Sequence, residues 1–201
     1  MTKIKICGLK RPEDIETVNA FRPDYAGFIV DYPKSHRSVS IERLRYLSSG
    51  LDDGIAKVGV FVDYDPSVII ELLQSGVIDI AQLHGRESEE TIRAVKEAGK
   101  PVIKSFHADQ LEAALVTSAD FPLFDNIVPG SGKSYDVTPL VGFKRPFFLA
   151  GGVSEMNAVS LIAMLRPYAL DASSSVETDK LKDSEKVRRL ISIVRSANGN
   201  R

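Results

Sequence analysis

The chain has 201 residues, 43% of them hydrophobic and 26% charged, and a formal net charge of -1. That length supports one sizeable core and not two ordinary domains, so residues 1–201 are expected to form a single domain. The near balance of charge excludes a bulk basic field for nucleic acid and a polybasic tether for a membrane, so any bound anion must be held by local geometry.

Short apolar runs alternate with helical patterns along the chain. A strand is predicted over Ile4-Lys5-Ile6-Cys7 and a helix after Pro12. A second strand covers Tyr25 to Val30, and a helix follows Ser40. The third strand, Ala56 to Val62, precedes a helix with Asp65 as cap and Pro66 at its first position, its apolar face formed by Val68, Ile69, Leu72 and Leu73. The fourth strand, Ile78 to Leu83, leads to a helix opened by Ser88, whose Glu89 and Glu90 suit the positive helix N-terminus. Strands over Val102 to Phe106 and Pro122 to Asp125 precede helices expected after Ala108 and Thr138. The seventh strand, Phe147 to Ala150, leads to a helix opened by Ser154 that carries Val159, Ile162 and Leu165. The eighth, Tyr168 to Asp171, precedes a helix opened by Asp183, in which Val187, Leu190, Ile191 and Val194 share one face.

Several of these strands are continuous apolar runs, the pattern of parallel strands buried on both faces. Eight strand–helix units in one chain of this length predict a single-domain (β/α)8 TIM barrel. The alternative is an open, doubly wound sheet of the same elements. The first residues lack the apolar run of a signal peptide, and no stretch approaches the roughly 18 apolar residues of a membrane span. Cys7 is the single cysteine, which excludes an intramolecular disulfide. Together these features predict a cytoplasmic location with no membrane partner.

In such a barrel the loops after the strands share one face, where active sites lie. Cys7 ends the first strand and Asp125 the sixth. A thiol tuned toward neutral pH can act as a base, and a carboxyl in a partly dry pocket can act as an acid. Taken singly, Cys7 also fits as a small buried filler and Asp125 as a loop cap. Gly151-Gly152 and the run Ser173 to Ser175 can expose backbone N–H groups as a phosphate cradle, or simply turn the chain. Arg37 can clamp a carboxylate with two parallel hydrogen bonds or stay solvated. Gln82 and His84 are candidates for substrate contact, or for filling the barrel mouth. The three histidines and one cysteine show no metal-ligand spacing, and Gly130-Ser131-Gly132-Lys133 lacks the spacing of a P-loop.

Five segments in order complete the pattern: Lys5-Ile6-Cys7-Gly8, Gln82-Leu83-His84-Gly85, Asp125 with Gly130 to Asp136, Leu149-Ala150-Gly151-Gly152, and Asp171 through Glu177. Together the chain resembles the phosphoribosylanthranilate isomerase family from the first strand to the eighth. The resemblance implies an Amadori rearrangement in tryptophan biosynthesis, without metal or cofactor, on a small phosphosugar substrate. It implies that Asp125 protonates the ribose ring oxygen and that Cys7, as thiolate, removes the proton from sugar carbon 2. It matches Arg37 to an arginine near the anthranilate carboxylate, and the loops at Gly151-Gly152 and Ser173 to Ser175 to the phosphate cradle. Gln82, His84, Gly130 and Gly132 complete the expected substrate-binding set. Ser175 stands where the family usually carries glycine, and it is strained if that position needs a positive φ. His36, Asn126 and Val137 depart from the pattern as well. A histidine-pathway isomerase resembles a pattern with aspartate where this chain has Cys7. A non-catalytic phosphosugar-binding barrel needs neither Cys7 nor Asp125.

Overall fold

The computed structural model describes residues 1–125 and 136–199. Its eight barrel strands are β1 (Lys3–Cys7), β2 (Tyr25–Val30), β3 (Ala56–Phe61), β4 (Ile80–Leu83), β5 (Val102–His107), β6 (Phe121–Asp125), β7 (Phe148–Leu149) and β8 (Ala169–Ala172). Each pairs in parallel with the next, and β1 closes the ring by pairing with both β2 and β8. Closure excludes the open sheet. Strand ends shift by a residue or two from the sequence expectation.

Among the described residues there are seven α-helices: α1 (Pro12–Phe21), α2 (Ile41–Ser48), α3 (Pro66–Gln74), α4 (Glu89–Lys96), α5 (Leu111–Val116), α6 (Ala158–Leu165) and α7 (Ser184–Gly199). None is long and apolar enough to cross a membrane. Their starts follow local chemistry. Ser40, Asp65 and Ser88 each accept a hydrogen bond from a backbone N–H in the first turn of the helix they cap. Asp14 at the start of α1 does so by reaching back to the N–H groups of Lys10 and Arg11.

Two helix expectations need correction. Thr138 opens only a single 3-10 turn, Thr138–Leu140. Gly142 follows at a φ of 79°, which stops helical propagation. Leu140 is buried, and Phe143 packs edge-on against Phe124 and Phe147, so apolar cover comes from this turn and not from a helix. Ser154 does not open α6, which starts at Ala158. The Asn157 side chain accepts from the Ser154 N–H at 2.8 Å and donates to the Gly152 carbonyl at 2.9 Å, which ties residues 152–157 into a turn ahead of the helix. Val159 is exposed, and Ala158, Ile162 and Leu165 form the inward face.

Two apolar layers result. One lies between the strands and the helices; the other fills the barrel interior with Tyr25, Val58, Ile80, Ile103, Leu123, Phe148 and Ala169. The Val, Leu, Ile and Phe side chains among them contribute on the order of 1.5–3 kcal/mol each when fully buried. Lys3 closes the lower end, hydrogen-bonded to the hydroxyls of Tyr25 and Tyr168. The barrel is thus a filled core, and a cleft opens at the carboxyl ends of the strands.

Candidate active site

Along β1, Lys5 and Cys7 share one face, because side chains alternate along a strand. Lys5 is fully buried, and the register sets it beside Asp171 of β8. Its ammonium lies 2.7 Å from Asp171 Oδ2 and donates to Gln82 Oε1 at 2.6 Å. An isolated buried ammonium costs several kcal/mol, so these partners are what make Lys5 tolerable there. Burial works against its charge, but the attraction of Asp171 and Cys7 outweighs it and holds the lysine above its ordinary pKa.

The Cys7 thiol is 7% exposed and packs on Gly27 of β2, its register partner. A Cβ at Gly27 would stand 2.8 Å from Cys7 Sγ and 3.0 Å from Lys5 Cε, so only glycine leaves room for both. Burial pushes the thiol pKa up. The Lys5 and Lys182 cations pull it down, the Asp171 carboxylate adds to the rise, and burial prevails. The sequence expectation is a thiol tuned toward neutral pH, and burial acts against that tuning.

Asp125 ends β6 on the far side of the mouth, in register with His107. Its Oδ2 lies 3.3 Å from His84 Nε2, and His84 Nδ1 lies 3.1 Å from Gln82 Nε2. Gln82 is 2% exposed, with both polar atoms engaged by protein. His84 remains partly open to the cleft.

Cys7, Asp125, His84, Arg37, Gly151, Gly152 and Ser173 to Ser175 all line one cleft of about 1370 Å³ at the carboxyl ends of the strands. Gly130 and Gly132 lie outside the described residues. Gly151 and Gly152 adopt φ of 77° and 89°, a conformation that favours glycine. Ser173 donates to the Cys7 carbonyl at 3.0 Å, tying the cradle loop to β1. Ser175 lies in the 3-10 turn Ser174–Val176 and outside the left-handed region, so it carries none of the strain its replacement of glycine suggested. Its hydroxyl is buried without a protein partner.

Arg37 is not a free loop arginine. Its Nε and Nη2 donate to the two oxygens of Glu177 at 2.7 and 2.8 Å. Lys182 donates to the same carboxylate at 2.7 Å, and His36 lies 3.5 Å from it. Burial would raise the Glu177 pKa, but Arg37 and Lys182 overcome that and hold it at about 2. Arg37 is therefore locked by its Nε edge and can still offer Nη1 to a ligand. Sequence reasoning missed Lys5, Glu177 and Lys182 as parts of the site. The one available signal was Lys5, a charge set between Ile4 and Ile6 in the first strand.

Residues 4–193 match the family described as N-(5'phosphoribosyl)anthranilate (PRA) isomerase. The chain is 43% identical to an N-(5'-phosphoribosyl)anthranilate isomerase of Endomicrobium trichonymphae, over 98% of this chain and 100% of that one. It superposes on the crystal structure of phosphoribosyl anthranilate isomerase from Thermus thermophilus with a TM-score of 0.86 at 36% identity, covering 97% of this chain and 99% of the other. A further similar structure, at TM-score 0.82 and 29% identity over 98% and 100%, holds reduced 1-(o-carboxyphenylamino)-1-deoxyribulose 5-phosphate.

Proposed function

The chain belongs to the N-(5'-phosphoribosyl)anthranilate isomerase family, and we propose that it performs that family's rearrangement with Cys7 as base and Asp125 as acid. The reaction converts N-(5-phosphoribosyl)anthranilate to 1-(2-carboxyphenylamino)-1-deoxyribulose 5-phosphate in tryptophan biosynthesis. The observation that supports these roles best is the shared cleft, with a thiol and a carboxyl on different sides of its mouth.

Asp125 gives a proton to the ribose ring oxygen, the C1–O bond breaks, and a protonated Schiff base forms. The Cys7 thiolate takes the C2 proton, and the electron pair moves into the C1–C2 bond to give an enolamine. C1 then gains a proton, the C2 hydroxyl loses one, and the ketone results. No electron acceptor is needed, because C1 is reduced as C2 is oxidised. The cradle of Gly151, Gly152 and Ser173 to Ser175 fits the phosphate. Arg37, held by Glu177, fits the anthranilate carboxylate. A base that must be a free thiolate suits the reducing cytoplasm. Neither nucleic acid nor a membrane is a partner in this scheme, and a pure binding barrel leaves Cys7 and Asp125 without a task.

The direct test is to add purified protein to phosphoribosylanthranilate and follow loss of anthranilate fluorescence. Turnover is expected, and its absence with intact, folded protein overturns the proposal. Gly8 supplies a second test. It adopts a φ of 83°, and an added Cβ would collide with Arg37 Cδ. Gly8→Ala is expected to destabilise the protein by about 1–3 kcal/mol and to raise KM more than it lowers kcat. Thermal melts and steady-state kinetics check both parts. An unchanged KM would remove Arg37 from substrate binding.

A further inference from the structure

Asp171, Lys5, Gln82, His84 and Asp125 form a line through the top of the barrel: hydrogen bonds of 2.7, 2.6 and 3.1 Å join the first four, and His84 Nε2 approaches Asp125 Oδ2 at 3.3 Å. Lys5 fixes the direction of the links toward Asp125. An ammonium has only donors, so the Gln82 atom that meets it must be the carbonyl oxygen. The amide nitrogen is then turned toward His84 Nδ1, and an amide nitrogen only donates. Nδ1 must accept, so the ring proton resides on Nε2, the nitrogen that faces Asp125.

We propose that Gln82 and His84 are positioning residues for Asp125, with the buried Lys5 ammonium dictating the polarity of the line. The inference rests on Asp125 being the acid. An Nε2–H directed at Oδ2 orients the carboxyl group in the mouth of the cleft. After delivery, the new carboxylate already has a donor in place. The same Lys5 packs with Cys7 Sγ against Gly27, so one buried cation neighbours the base directly and reaches the acid through two uncharged relays. Gln82 has no exposed polar edge to offer a substrate, which fits this role better than direct binding.

The test combines imidazole 15N shifts with kinetics. In the unmodified protein, His84 (assigned by its loss in His84→Asn) should show an unprotonated Nδ1 and a protonated Nε2. Gln82→Leu keeps the Lys5–Asp171 pair and removes the amide donor. It should release the single tautomer and lower kcat on the order of tenfold to a hundredfold, with KM changed far less. Gln82→Glu has no donor for Nδ1 and should draw a proton onto it. A proton on Nδ1 in the unmodified protein overturns the inference. So does wild-type kcat in folded Gln82→Leu, or a kcat loss with the tautomer unchanged, which marks a merely structural role. Should Gln82→Leu fail to fold, the unmodified protein and Gln82→Glu still decide. If the unmodified protein turns nothing over, the functional proposal fails, whereas the tautomer result stands apart from turnover.

Discussion

Cys7→Ala lowers kcat by roughly a hundredfold to ten-thousandfold, the range expected when a positioned general base is lost. No neighbour can replace it. Lys5 is a buried cation with donors only, and Asp171 is ion-paired to it at 2.7 Å. Stability changes little, by about 1 kcal/mol or less, because only one sulfur leaves a wall of the cleft. Cys7→Ser separates chemistry from shape, since a hydroxyl fills the same space but ionises far above a thiol. The pH profile gives an independent check. Burial holds the thiol above its ordinary value of 9.0, so the active thiolate fraction grows as pH rises through the neutral range and beyond. kcat/KM of the unmodified enzyme should therefore climb with pH, and the thiol-dependent rise should vanish in Cys7→Ser. Near wild-type turnover by Cys7→Ala would mean that another group removes the C2 proton.

Asp125→Asn has the second large effect, a fall in kcat of roughly a hundredfold or more. The amide has almost the same shape and keeps an oxygen beside His84 Nε2, so the loss isolates proton donation. Without it the ring oxygen must leave as an alkoxide, and the ring-opening step becomes rate-limiting. KM should move only a few-fold, because the residues proposed for the phosphate and the carboxylate lie elsewhere in the cleft. The side chain is partly exposed at a strand end, so stability should stay within about 0.5–1 kcal/mol. Steady-state kinetics and a thermal melt measure all three. Retained turnover would shift the acid role to His84, 3.3 Å away.

The sequence alone determined the repeating plan and the location of the site. Strand and helix signals are local: a run such as Tyr25 to Val30 or a cap such as Asp65-Pro66 acts over a few residues, so it can be read without the fold. Eight repeats then place Cys7 and Asp125 on one rim, because all strand ends of a parallel barrel face the same way. Local signals failed where distant contacts overrode them. The Thr138 segment is one turn capped by Phe143 against Phe124 and Phe147, and α6 starts late because Asn157 binds back to Gly152. Only the tertiary structure decided which side chains pair at the rim. Arg37 meets Glu177 across 140 positions and Lys5 meets Asp171 across 166, pairings that no periodicity encodes. The direction of the Cys7 pKa likewise depends on burial set against Lys5 on its own strand, and on Asp171 and Lys182, which become its neighbours only once the ring closes.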